Sequence, residues 1–328
     1  MDASQNIVEK NDRLPFSKWG WIVSLLTLIV LIVLVVMNIG KAEHFVELLR
    51  QAKPWWLLLA ILLQLGTYMC AGAVWRAVTL SGGSRLHIAT LARLSVEQLS
   101  MNQLVPAGGM TGSFLVIHGM RRRGVPAGLA MEALLVDVLS DKAGFAIVSI
   151  LSLLAVWWSH HTTFLVLSLF AIFAVMLSVV PLAIWWFLNH LTWTPPRWLG
   201  RQTFVARLME AAAEVSPKRV LSPVLLSKTI LLHIGIFLLD AGTLWVMMNA
   251  IGTFISPLTA FIALVTASIA GTVSFLPGGV GGFEAGCTAT LTLLGVPVEA
   301  ALTGTLLLRG LTLWLPLIPG WILARGEM

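Results

Sequence analysis

Several ionisable side chains stand inside stretches of this sequence that are otherwise apolar. Asp137, Asp141 and Lys142 share one such stretch, Arg309 lies in another, and Glu97 and Glu284 lie in two more. A charge held within an apolar helix is expensive, so its default reading is functional. Asp137 and Asp141 are four residues apart and share one helical face. The chemistry open to this set is ionic recognition and proton exchange. Arg309 and Lys142 suit an anion, while Asp137, Asp141 and Glu284 suit a cation or a proton, and Glu97 is a further candidate for proton coupling. The bland alternative is a set of structural ion pairs; Arg93, one turn before Glu97, then simply neutralises it. Asp240 sits within another apolar run and ranks below the others.

Glycine and proline supply a second kind of candidate. Leu104 to Gly112 reads LVPAGGMTG and Leu276 to Gly282 reads LPGGVGG, with Pro106 and Pro277 standing 171 positions apart. Gly124-Val125-Pro126 and Gly295-Val296-Pro297 repeat at the same offset, and AGAVW ending at Trp75 echoes AGTLW ending at Trp245. These landmarks imply a duplicated unit. After each break a new helix starts, near Thr111 and near Gly282, and free N–H groups at helix starts attract anions. Gly108, Gly109, Gly278, Gly279, Gly281 and Gly282 allow close backbone approach to a ligand. With Pro106, Thr111 and Pro277 they complete the candidate binding set. The alternative is that these glycines only make the turn or allow tight helix packing.

The elements that must carry these residues follow from composition. Of 328 residues 58% are hydrophobic and 11% charged, against roughly 25% charged in soluble domains; mean hydropathy is +0.90. The expected fold is an all-α polytopic membrane protein. Apolar runs at 19–38, 55–79, 127–157, 163–187, 224–249 and 299–322 predict about six full spans. The stretches 86–120 and 257–294, each broken near its middle, predict two re-entrant helical hairpins, because irregular backbone at membrane depth must be buried in protein or line a cavity. Most of the 21 lysines and arginines fall on one side if both termini are cytoplasmic, as the positive-inside rule requires. Trp19, Trp21, Trp185, Trp186 and Trp321 then mark inner ends, and Trp55, Trp56, Trp157, Trp158 and Trp245 outer ends. The two units run in opposite senses, so the fold is an inverted-topology repeat with its hairpin tips meeting near the midplane. The expected organisation is a leader, first span and interfacial helix at 1–53, unit one at 54–158, an extra span and basic cytoplasmic linker at 159–223, and unit two at 224–328.

Other classes are disfavoured. The net charge of +6 comes from residues between apolar runs, with no aromatic-interleaved basic domain for nucleic acid. Gly279 to Gly286 lacks the lysine of a P-loop. His118, His233 and His160-His161 lack metal-ligand spacing, and Cys70 and Cys287 are isolated. No metal, no cofactor and no catalytic motif is expected.

The motifs NQLVPAGGMTGSF at 102–114, RRRGVP at 121–126, DVLSDKAGF at 137–145, SFLPGGVGGFEAG at 274–286 and LLLRGLTLWLPLIPG at 306–320 resemble the flippase-like family named after the transmembrane region of lysylphosphatidylglycerol synthase. That resemblance covers about 50–325. It implies translocation of a lipid between leaflets: a phospholipid, an aminoacylated phospholipid or a hopanoid-type lipid. The chain ends just beyond its last span and is expected to stand without the synthase domain of fused relatives. Family members often carry Pro-x-x-Gly-Glu at the first tip, whereas Pro106 is followed by Ala107, Gly108, Gly109 and Met110. The expectation is a flippase in a bacterial-type inner membrane, not an enzyme, with a membrane lipid as substrate and a second copy or a lipid-synthesis enzyme as partner. A transporter of a small soluble anion and an intramembrane enzyme acting on a lipid-linked substrate are the alternatives.

Overall fold

The computed structural model describes residues 54–104, 110–158, 164–189, 214–274 and 277–316. The expected span at 19–38, the interfacial helix before residue 53, the tip residues Pro106, Gly108 and Gly109, and most of the linker lie outside the described residues. Every described element is helical. The chain runs through α1 (Pro54–Ser81), α2 (Ile88–Leu104), α3 (Met110–Arg122), α4 (Ala127–Trp158), α5 (Phe164–Asn189), α6 (Pro217–Val220), α7 (Pro223–Ala250), α8 (Pro257–Val273), α9 (Gly282–Leu293) and α10 (Val298–Arg309). A single turn at Pro277–Gly279 separates α8 from α9, and a π-helical stretch, Gly310–Trp314, comes directly after α10.

Four of these helices, α1, α4, α5 and α7, are long and apolar enough to cross a membrane. The expected span at 299–322 begins as the 12-residue α10 and changes winding at Gly310. Helices α2 and α8 are 17 residues each, and α3 and α9 only 13 and 12, short of the roughly 20 residues that a straight crossing takes. The sequence break at Pro277 is thus a break in helix. Along α8 and α9 the chain reverses direction. Gly282 lies against Ser274 and Ala270, and Gly286 against Ala270 and Ala267. A Cβ at Gly286 would stand 2.7 Å from that of Ala270, so small residues let the two backbones approach.

The repeated Gly-Val-Pro corners close in the same way. Gly124 and Gly295 have φ of 84° and 89°, the left-handed conformation that glycine adopts without penalty. In one corner Val125 N–H donates to Met120 O and Ala130 N–H to Pro126 O; in the other Val296 N–H donates to Leu291 O and Ala301 N–H to Pro297 O. The glycine satisfies the last carbonyls of one helix and the proline starts the next.

Packing centres on α1 and α7, which lie along one another, with α4 against both. Trp75, Val78, Leu91, Met120 and Val136 form one buried cluster; Leu244, Met248, Leu264 and Leu291 form another in the second half. Large apolar side chains such as Leu62, Ile150, Val175 and Leu231 stay exposed, as a lipid-facing perimeter requires. Trp55, Trp157, Trp158, Trp185 and Trp186 are exposed at helix ends. Trp245 is half-buried: its indole N–H donates to Ile255 O at 3.0 Å and its ring meets Trp56 edge-on.

Candidate functional site

The second break is built around Arg309 and Glu284. Gly278, Gly279 and Gly281 all have positive φ, at 61°, 66° and 83°, so the turn takes a path closed to most side chains. Glu284 sits in the first turn of α9, and its Oε2 accepts the Gly281 N–H at 2.6 Å, capping the helix. Its Oε1 accepts from Arg309 Nε at 2.7 Å, and the same guanidinium donates to Gly278 O at 2.6 Å. Arg309 also lies 4.6 Å over the centre of the Phe283 ring, a favourable cation–π placement. One buried cation therefore ties irregular backbone, the start of α9 and the end of α10 together. Gly282, by contrast, is a packing glycine: a Cβ there would meet Ser274 Cβ at 2.7 Å.

Helix α2 of the first half touches the Pro277–Gly279 turn. Beside it Ser100, fully buried, donates to Pro316 O at 2.8 Å. At the first break, Asn102 Oδ1 accepts the Gly112 N–H at 2.8 Å and Gln98 donates to Ser113 Oγ at 3.2 Å. The start of α3 is pinned to α2 by side chains rather than by a carboxylate. Glu97, wholly buried, takes Arg93 Nε at 3.0 Å.

The aspartates of α4 form a second cluster. The 171-residue repeat offset makes Arg309 the counterpart of position 138 and predicts that it faces the helix of Asp137 and Asp141; in the structure Arg309 is bound at the second break, and the residue facing both aspartates is His233 of α7. Nε2 of His233 lies 3.3 Å from Asp137 Oδ1, and Nδ1 lies 3.7 Å from Asp141 Oδ1. Asp141 Oδ2 takes Lys142 Nζ at 2.7 Å. Sequence reasoning tested His233 only as a metal ligand and passed over it. Its position inside an apolar run was the available signal. Asp240 is held by Gln64 of α1 at 2.9 Å, and that amide also reaches Thr243 at 3.0 Å.

Two further acids escaped notice in the sequence. Glu132, buried in α4, accepts the Ser216 N–H at 2.8 Å and binds Arg219; Glu214 accepts the Gly128 N–H at 3.1 Å. They anchor the chain entering α7 to the start of α4 across more than eighty residues, a pairing with no local signal. Among the described residues no cluster of three or more His, Cys, Asp or Glu is placed to hold a metal ion.

A groove of about 590 Å³ runs between α9 and α10, lined by Ala285, Thr288, Thr292, Leu293 and Leu302, with Glu284 among its lining residues. Its walls are apolar apart from hydroxyls and that carboxylate. Such a groove suits a hydrocarbon chain attached to a polar group.

A comparison with curated proteins returns no match. The family model described as lysylphosphatidylglycerol synthase TM region matches residues 21–320, nearly the whole sequence. With membrane-length helices, broken helix pairs and the motifs at both breaks lying within that match, the chain belongs to the lysylphosphatidylglycerol synthase transmembrane-region family and is a multi-pass membrane protein.

Proposed function

We propose that the protein is a flippase that moves a polar-headed lipid between the leaflets of a bacterial-type inner membrane by alternating access. The lipid is a phospholipid, an aminoacylated phospholipid or a hopanoid-type lipid. The pairs α2–α3 and α8–α9 act as re-entrant hairpins of an inverted repeat, with both termini cytoplasmic. Support comes from the correspondence of contacts. Helix α1 packs on α2 and α4, α2 on α3, and α3 on α4; likewise α7 packs on α8 and α10, α8 on α9, and α9 on α10. The shared corner geometry at Gly124 and Gly295 agrees. Rocking of one half against the other about the α1–α7 seam would then alternate access.

The observation that carries the reading is the open groove between α9 and α10 whose lining includes the Glu284 carboxylate. A head group would reach Glu284 and Arg309 from the side while its tails stay in hydrocarbon, with no chemical change to the lipid. A soluble anion gains nothing from apolar walls.

Reconstitution tests it. Fluorescent phospholipids should cross faster in proteoliposomes than in empty vesicles, and Arg309→Ala should abolish the difference. No acceleration for anionic, zwitterionic or aminoacylated lipids would sink the proposal. Saturable uptake of a soluble anion would favour the second reading, and recovery of a chemically altered lipid the enzyme.

A further inference from the structure

The Asp137–Asp141–His233 cluster joins the two halves: α4 belongs to the first and α7 to the second. His233 is 9% exposed as a side chain, and its Nε2 is enclosed without a hydrogen bond of good geometry. The backbones are close here by construction. A Cβ at Gly144 would stand 3.1 Å from that of His233, so a side chain at 144 would press on the base of the histidine.

Each ring nitrogen faces a carboxylate, at 3.3 and 3.7 Å. A neutral imidazole has one N–H and one lone pair, so it can donate to one aspartate only and turns its lone pair on the other. The imidazolium presents an N–H to each. Charge gives the same answer, since two carboxylates and Lys142 leave one negative charge that a proton on the ring cancels. Uncancelled charge is costly in an apolar surrounding. The charges acting on the ring are Asp137, Asp141 and Lys142, all from α4. Farther along α7 itself Asp240 is bonded to Gln64 of α1; on other elements Arg219 of α6 is bonded to Glu132, and Arg309 of α10 to Glu284. Helix α8 carries no ionisable side chain.

We infer that His233 is a proton-binding site between the two halves: a proton taken from water onto its ring ties α4 to α7, and its return to water releases them. This rests on the transport reading and adds a coupling ion to it. Histidine suits the task because it exchanges its proton near neutral pH.

The test uses the full chain and the His233→Gln variant, which has similar bulk and cannot titrate in this range. Thermal unfolding is measured in detergent from pH 5 to pH 9. Wild type should lose melting temperature relative to the variant as pH rises, and the Asp137→Asn/Asp141→Asn double variant should lack that dependence. In proteoliposomes the rate of lipid crossing should vary with pH for wild type and stay flat for His233→Gln. Coincident unfolding profiles of wild type and variant overturn the inference, and so do coincident crossing profiles where wild type moves lipid. If wild type moves no lipid yet keeps the unfolding signature, the flippase reading falls and the proton site stands. Should His233→Gln fail to fold, Asp137→Asn alone replaces it with the same expectations.

Discussion

The two ionic clusters differ in how they are held. At the second break Arg309 and Glu284 meet at 2.7 Å, and each also bonds a backbone group, Gly278 O and Gly281 N–H, at 2.6 Å. Between α4 and α7 the contacts of His233 are longer, 3.3 and 3.7 Å, and they run between side chains alone among the described residues. The first cluster fixes a backbone path that glycine alone would leave free. The second is a side-chain contact between two unbroken helices. Similar residue types thus make a short, backbone-anchored clamp in one place and a longer side-chain joint in the other.

The contrast breaks first at Arg309. Removing one partner of a buried, hydrogen-bonded pair costs about 3–5 kcal/mol, so Arg309→Ala should lower the melting temperature more than any single change at His233. A smaller effect than that of His233→Gln would reverse the comparison. A double-mutant cycle on Glu284→Gln and Arg309→Gln, read by unfolding, should give a coupling energy of about 2–3 kcal/mol, near the top of the range for contacting residues. Gln64→Leu strips Asp240 of its amide donor and should cost about 1–3 kcal/mol by the same measurement, as an unsatisfied buried acceptor does. The cycle on His233→Gln and Asp137→Asn should give about 1 kcal/mol at pH 8 and more at pH 5.5, because only the imidazolium carries a charge and an N–H toward each aspartate. A coupling independent of pH would make this joint another clamp. The least effect is expected for Ser100→Ala, which removes one interhelical hydrogen bond worth about 0.6 kcal/mol in a membrane protein; chemical denaturation midpoints would register it.

Helix length and the position of the breaks were legible in the sequence because both are local. Apolar run length marked α1, α4, α5 and α7, and Pro277 with Gly278 and Gly279 marked the turn between α8 and α9. The partners within the site were not legible. A repeat offset assigns Arg309 a depth equivalent to that of residues near Asp137, but equivalence in a repeat says nothing of contact. Glu284 reaches Arg309 because α9 and α10 lie side by side beyond the corner at Gly295, a matter of tertiary packing. His233 and Asp137 meet through the approach of α4 to α7 at Gly144, and a glycine in a long apolar helix gives no hint of what passes over it. Glu132 and Arg219 show the same limit.

The π-helical stretch from Gly310 to Trp314 begins immediately after Arg309. Such a turn accommodates one residue more than an α-helical turn, whereas α4 runs from Ala127 to Trp158 as an unbroken α-helix. The wider winding shifts the register of the chain beyond Arg309 while Arg309 itself stays at the end of regular α-helix. Deleting one residue from the stretch would rewind the helix and rotate everything after it by about 100°. Leu313, which packs against Gly278, would then turn away from the second break.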